Sequence, residues 1–288
     1  MHVIHSAQQP MVVLLHSSAR SARQWDRLAE TLKPRFRVRA IEFHGHGERA
    51  GWRGAAPLTL ADEAALAVPL LEEAGGAHVV GHSYGAAVAL KLTTMYPKLV
   101  RSLVAYEPVL FRLLFDDIAH QQPVQDLVAV ADSMRDRIAS HQEHSAAQRF
   151  VDFWSGGGAW ESLSSGKQTS IAARMRAVIQ HFDALFREPL RLAQLAILKM
   201  PMMFTSGTHT VAVTRRIAEL LRLTLPQAQH EVLHGMGHMG PITHAAEVNR
   251  RLVEFLHAQS DLVQRSVDRL WSPPATSARF QQCGGCGP

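Results

Sequence analysis

Apolar positions follow two rhythms along this chain. Short unbroken apolar runs read as buried strands at Met11–His16, Val38–Phe43, His78–Gly81, Ser102–Glu107, Met202–Ser206 and His230–Leu233. Between them, apolar residues recur at helical spacing. Ala22–Leu32 puts Trp25, Leu28, Ala29 and Leu32 on one face, and Ser21 stands three residues before Gln24, the spacing of a capping box. Leu60–Ala74, Ala86–Tyr96 (stopped before Pro97), Val213–Leu223 and Ala245–Ala258 also read as helices. Strands alternating with helices predict an α/β protein: a mostly parallel, doubly wound sheet covered on both faces.

One stretch breaks the alternation. From about Val109 to Lys199 the period is helical throughout, first in Leu127, Val130, Ala131, Met134 and Ile138, then in Ile171, Met175, Val178, Ile179 and Phe182. An all-helical insertion between two strands sits over the strand ends as a cap. Gly156-Gly157-Gly158 within it reads as a helix-to-helix turn rather than a phosphate cradle. The expected organisation is a core from residues 1–108 and 200–258, a helical cap from 109–199, and a C-terminal part from 259–288. In that last part Asp261–Trp271 has helical amphipathicity, and Pro273–Pro288 has the Pro, Gly, Ser and Gln content of a disordered tail. Cys283-Gly-Gly-Cys286 has redox or metal spacing, but without a second pair it reads as part of a free tail.

Composition narrows the function classes. With 47% hydrophobic and 19% charged residues, the 288-residue chain has enough apolar material for a sizeable core. Its net charge of +5 comes from scattered basic residues, with no Lys/Arg block of the kind that tracks a phosphate backbone, so no nucleic-acid partner is expected. No apolar window is long enough for a membrane span, and the N-terminus lacks the order of a secretory signal. The folded body holds no cysteine pair, which fits a cytoplasmic location. Oligomeric state is not legible.

Gly81-His82-Ser83-Tyr84-Gly85 carries the chemistry. It follows an apolar strand and opens a small-residue helix, so Ser83 falls on a sharp strand-to-helix bend with its hydroxyl exposed. This elbow, the strand-helix alternation and the helical insertion together resemble the α/β-hydrolase fold over roughly residues 10–258. Other stretches carry the resemblance further. His16-Ser17-Ser18 follows the first strand, with Ser17 where the family usually has glycine; His44-Gly45-His46-Gly47 follows the second; Gly237-His238-Met239 follows the last. The resemblance implies Ser83 as nucleophile, His238 as general base, and the backbone N–H groups of Ser18 and Tyr84 as an oxyanion hole. It implies no cofactor and no metal. A loop histidine such as His238 is expected to contribute little packing. His82 should point away from the serine, and His16, His44 and His46 read as hydrogen-bonded loop residues, with pocket lining or metal ligation as the other reading.

The acid is displaced. The family pattern Gly-x-x-Asp after the next-to-last strand reads Gly207-Thr208-His209-Thr210 here, and no aspartate occurs between Asp183 and Asp261. Glu107 ends the fourth strand before Pro108 and keeps the order nucleophile, acid, histidine. It is either the orienting acid or a structural carboxylate bonding nearby N–H groups. Asp116 and Asp117 are weaker candidates. The leading expectation is a serine hydrolase cleaving an ester or related acyl bond of a small apolar substrate. A carbon–carbon bond hydrolase or lyase on the same fold, and a degenerate binding protein supported by Thr210, are the alternatives. Trp154, Trp160, Phe150, Phe153, Phe182 and Phe186 either line an apolar pocket or simply pack the cap.

Overall fold

The computed structural model describes residues 9–115 and 121–271. Six strands, β1 (Met11–Leu15), β2 (Arg37–Ile41), β3 (Ala77–His82), β4 (Val100–Tyr106), β5 (Met202–Gly207) and β6 (Gln229–Leu233), form one sheet in the order β2-β1-β3-β4-β5-β6. Every adjacent pair is parallel. The period of two along the strands decides which face each residue serves. Val13, Leu15, Val79, Leu103 and Ala105 pack with α2 (Leu60–Ala65), α3 (Val68–Glu73) and α4 (Tyr84–Met95). Val12, Leu14, Val80, Val104 and Tyr106 pack on the other face against α1 (Asp26–Leu32) and α12 (Ala245–Trp271). Both faces are thus covered, which is what continuous apolar strands require.

The cap lies between β4 and β5. It comprises α5 (Gln121–Ala139), α6 (Glu143–Ser155), α7 (Ser165–Ala172), α8 (Met175–Arg187) and α9 (Leu192–Ala196). Leu127, Val130, Ala131, Met134 and Ile138 are the buried stripe of α5, as their spacing predicts. The triple glycine is the turn from α6 into the segment before α7, with Gly156 and Gly158 at φ of 96° and 82°. Among the described residues, α10 (Ala212–Thr224) and α11 (Gly240–Thr243) complete the α-helices. Among the described residues no helix is long and apolar enough to cross a membrane.

Four local expectations are corrected. The Ser21/Gln24 capping box does not form: Ser21 makes no side-chain cap bond, and the segment opens as a single 3-10 turn over Ala22–Trp25. The Gln24 amide is engaged elsewhere, as described below. Leu60–Ala74 is two helices, because Pro69 lacks an N–H and its ring would collide with the carbonyl of Ala65. The first of them is capped by a reciprocal Thr59–Asp62 box. The second strand stops at Ile41 rather than Phe43. Ala245–Ala258 and Asp261–Trp271 are one uninterrupted helix, since neither Gln259 nor Ser260 breaks it. Asp116, Asp117 and the Cys283/Cys286 tail lie outside the described residues.

Candidate active site

Ser83 sits between β3 and α4 with φ 57° and ψ −116°, a conformation that costs a non-glycine residue about 1–3 kcal/mol. The surroundings hold it there. Its N–H donates to the Tyr106 carbonyl at 2.9 Å, and α4 begins at the next residue. The flanking glycines are dictated by close approach. A Cβ on Gly85 would lie 2.3 Å from the Leu15 carbonyl oxygen, and one on Gly81 would lie 2.4 Å from the Gly85 oxygen. A side chain at either site would push the elbow off the sheet.

Ser83, His238 and Glu107 come from three separate parts of the chain and lie in one hydrogen-bonded line. His238 Nε2 is 2.8 Å from Ser83 Oγ, and His238 Nδ1 is 2.7 Å from Glu107 Oε2. With Nδ1–H donating to the carboxylate, Nε2 accepts from the serine hydroxyl and is in reach to take its proton. Glu107 follows the last residue of β4 at φ 44°, with its N–H on the Thr205 carbonyl at 2.9 Å. Its carboxylate is fully engaged: Oε1 accepts from the Gly207 N–H at 2.8 Å, and Oε2 also accepts from the Thr210 hydroxyl at 2.6 Å. Thr210, which stands where the family usually has aspartate, is thus a donor to the Glu107 carboxylate. Thr214 Oγ1 lies 2.7 Å from the same hydroxyl.

The loop bearing His238 is pinned from several sides. Tyr106 Oη donates to the Gly237 carbonyl at 2.8 Å, and His209 N–H donates to the Met236 carbonyl at 2.8 Å. His82 makes no bond to Ser83; its Nε2 donates to the His238 carbonyl at 2.8 Å. From there a polar relay runs to the loop after β1. Gln24 Nε2 lies 3.1 Å from His82 Nδ1, and Gln24 Oε1 accepts from both the N–H and the hydroxyl of Ser17, at 3.1 and 2.9 Å. The serine in place of the family glycine therefore has a partner for its hydroxyl. No spacing rule brings Gln24, His82 and His238 together, so this relay was not legible in the sequence.

His238 is 2% exposed and stacks on Trp154 of the cap, with ring centroids 4.3 Å apart. It is a packed residue, contrary to what its loop position predicts. Ser17, Ser18, Ser83 and His238 line a cavity of about 490 Å³, closed on the cap side by Phe150, Val151, Trp154, Leu163 and Ile171. Of the aromatic residues singled out in the cap, Phe150 and Trp154 line this cavity, while Trp160, Phe153, Phe182 and Phe186 pack the cap and its edge. Among the described residues, the amides of Ser18 and Tyr84 donate no hydrogen bond to protein, so both N–H groups are available to a ligand oxygen beside Ser83.

The other histidines tie loops together. His16 bridges the Ser17 carbonyl (2.8 Å from Nδ1) and the Phe43 N–H (3.3 Å from Nε2). His46 bridges the His44 carbonyl and the Ala19 N–H, at 3.0 and 3.2 Å. His44 meets the buried Glu63 at 3.0 Å. His181 of α8 stacks flat on Tyr84 at 3.7 Å and bonds the Ser18 hydroxyl at 2.8 Å, joining the cap to the loop after β1. No group of three or more His, Cys, Asp or Glu side chains among the described residues is arranged to hold a metal.

Burial sets the charge of several of these rings. Burial, then the neighbouring His181 and His16, pulls His46 down to about 2, and burial with Arg101 pulls His78 down to about 4. Burial also lowers His82 and His181. His46 and His78 stay neutral in the fold near pH 6.5, where each takes a proton once unfolded, and the lowering of His82 and His181 acts in the same direction. The unfolded chain therefore binds more protons below that pH, and stability falls as the pH drops. For His78 alone the loss is complete near pH 4 and amounts to about 3 kcal/mol. The urea midpoint is expected to fall steadily from pH 6.5 to pH 4. A flat midpoint across that range contradicts this reading.

A parallel sheet, a capped cavity at its strand ends and a serine on a strained elbow define an enzyme of the α/β-hydrolase class. The chain belongs to the Alpha/beta hydrolase family, whose pattern it matches over residues 12–251. It is 22% identical over 255 residues to a pimeloyl-[acyl-carrier protein] methyl ester esterase of Yersinia pseudotuberculosis, covering 85% of this chain and 92% of that protein. It is 32% identical over 143 residues to lipase LipV of Mycobacterium tuberculosis, covering 49% of this chain and 52%, about half, of the lipase. Among solved structures it is similar to the enol-lactonase of Burkholderia xenovorans LB400, with a TM-score of 0.69, 18% identity, and 87% and 92% of the two chains covered.

Proposed function

We propose that this chain is a serine hydrolase that cleaves an ester or related acyl bond of a small, largely apolar substrate. Ser83 attacks the acyl carbon, His238 takes its proton and returns it to the leaving group, and Glu107 holds the imidazole in the required tautomer. The amides of Ser18 and Tyr84 receive the negative charge of the tetrahedral intermediate, each worth roughly 3–4 kcal/mol. Water then repeats the sequence on the acyl-enzyme. The observation that carries this reading is the unbroken line from Ser83 Oγ through His238 to Glu107, at 2.8 and 2.7 Å. The names of the similar proteins, an ester esterase, a lipase and an enol-lactonase, agree with an ester-type bond. The apolar wall from Phe150, Val151, Trp154 and Leu163 suits a hydrocarbon acyl group.

A panel of p-nitrophenyl esters of increasing acyl length tests the reading. Turnover is expected to rise with chain length until the cavity of about 490 Å³ is filled, and then to fall. Ser83→Ala should abolish it. Hydrolysis that persists in Ser83→Ala, or absent hydrolysis at every length, overturns the proposal.

A further inference from the structure

The basic residues that look scattered in sequence converge at the mouth of the cavity. A second hollow of about 680 Å³ adjoins the one beside Ser83, and Ala19, Arg20, Lys167, Ile171 and Ile242 line both. Arg20, Arg23 and Arg27 enter it from the core, and Lys167 and Arg174 face them from the cap. Asp26 is the one carboxylate in its lining. None of the five cations forms an ion pair among the described residues; Glu42 lies within electrostatic range of Arg174 but not in contact with it. The Arg174 guanidinium is fixed by the carbonyl and hydroxyl of Ser170 at 2.7 and 2.8 Å. Arg20 is half-buried, and both its desolvation and the Arg174 charge weaken its hold on the proton. Two guanidinium groups partly withdrawn from water and repelling each other are stabilised by an anion between them.

We propose that this vestibule is an anion subsite of the same active site, and that the substrate is an ester or thioester with one arm ending in a phosphate or carboxylate group. This rests on the hydrolase reading above. The hydrocarbon arm lies against Phe150, Val151, Trp154 and Leu163, where an anion would lose its hydration without gaining a partner. The charged arm leaves past Arg20 and ends between the core arginines and Arg174. Arg20 stands two residues after Ser18, so the subsite and the loop that supplies an oxyanion donor are one continuous piece of chain.

Two matched substrate pairs test the proposal: butyryl-glycerophosphate against butyryl-glycerol, and monomethyl suberate against methyl octanoate. In at least one pair the anionic member is expected to have a kcat/KM about 10–100-fold higher, a preference that shrinks as salt is raised. The responding pair identifies the group and the arm that bears it. The ratio of charged to neutral kcat/KM should collapse toward one in Arg20→Gln/Arg174→Gln. It should fall severalfold in Arg23→Gln/Arg27→Gln, whose side chains are exposed, so that variant tests the subsite without disturbing the fold. Calorimetric titration of Ser83→Ala protein with butyryl-glycerophosphate and with monomethyl suberate separates the two readings. Salt-sensitive binding lost in the arginine variants supports the subsite even if hydrolysis fails. Equal kcat/KM within both pairs, with no salt-sensitive binding of either anion, overturns it.

Discussion

His238→Ala is expected to lower kcat by roughly 10⁴–10⁶-fold, the scale on which a hydrolase loses turnover when its base is removed. The physical reason is the 2.8 Å contact with Ser83 Oγ: without Nε2 no group among the described residues hydrogen-bonds to that hydroxyl. The variant should also lose stability. His238 is buried against Trp154, and its removal leaves a small cavity and takes one donor from the buried Glu107 carboxylate. A loss of about 1–3 kcal/mol is expected. His238→Gln fills more of that space and keeps a donor toward Glu107, so it should recover much of the stability and none of the turnover. Measuring kcat and the urea midpoint on both variants separates chemistry from packing. Activity near wild type in either removes His238 from the mechanism.

The second large effect concerns the acid. Glu107→Gln keeps the shape of the side chain but removes the charge that stabilises the imidazolium, and it can present an N–H where Nδ1–H must donate. Turnover should fall by roughly 10²–10⁴-fold with a far smaller change in KM. The Thr210 hydroxyl lies 2.6 Å from Glu107 Oε2, so Thr210→Asp places a carboxylate next to the same imidazole. In the Glu107→Gln background it should return part of the lost turnover. In the wild-type background it should lower activity, because two buried carboxylates in contact cannot both stay ionised without cost. Full activity in Glu107→Gln sinks the assignment of the acid to this residue.

What the sequence carried and what it did not follow from the range of the interactions. The alternation of strands and helices, the elbow at Ser83 and the stripes of the cap helices are local patterns, and the fold follows from them. The place of Glu107 beside His238 was legible because it follows the fourth strand at the edge of the sheet where the candidate site lies. Its bond to Thr210 was not, because the two residues are 103 positions apart and meet only through the pairing of β4 and β5. The same holds for His82, whose proximity to Ser83 in sequence conceals a role under the His238 loop 156 positions away. Gln24 misled for a related reason. Its spacing from Ser21 fits a cap, but Ser17 and His82 offer the amide better partners. The cations at Arg20, Arg23, Arg27, Lys167 and Arg174 show no block in sequence, since core and cap contribute them from opposite sides of the vestibule.

The central claim is that Ser83 is the nucleophile, and covalent labelling tests it most directly. The intact protein is incubated with a fluorophosphonate, digested, and its peptides are mapped by mass spectrometry. One adduct is expected, on the peptide containing Ser83, with none in Ser83→Ala and strongly slowed labelling in His238→Ala. An adduct that survives Ser83→Ala, or wild-type protein that stays unlabelled while folded, contradicts the account.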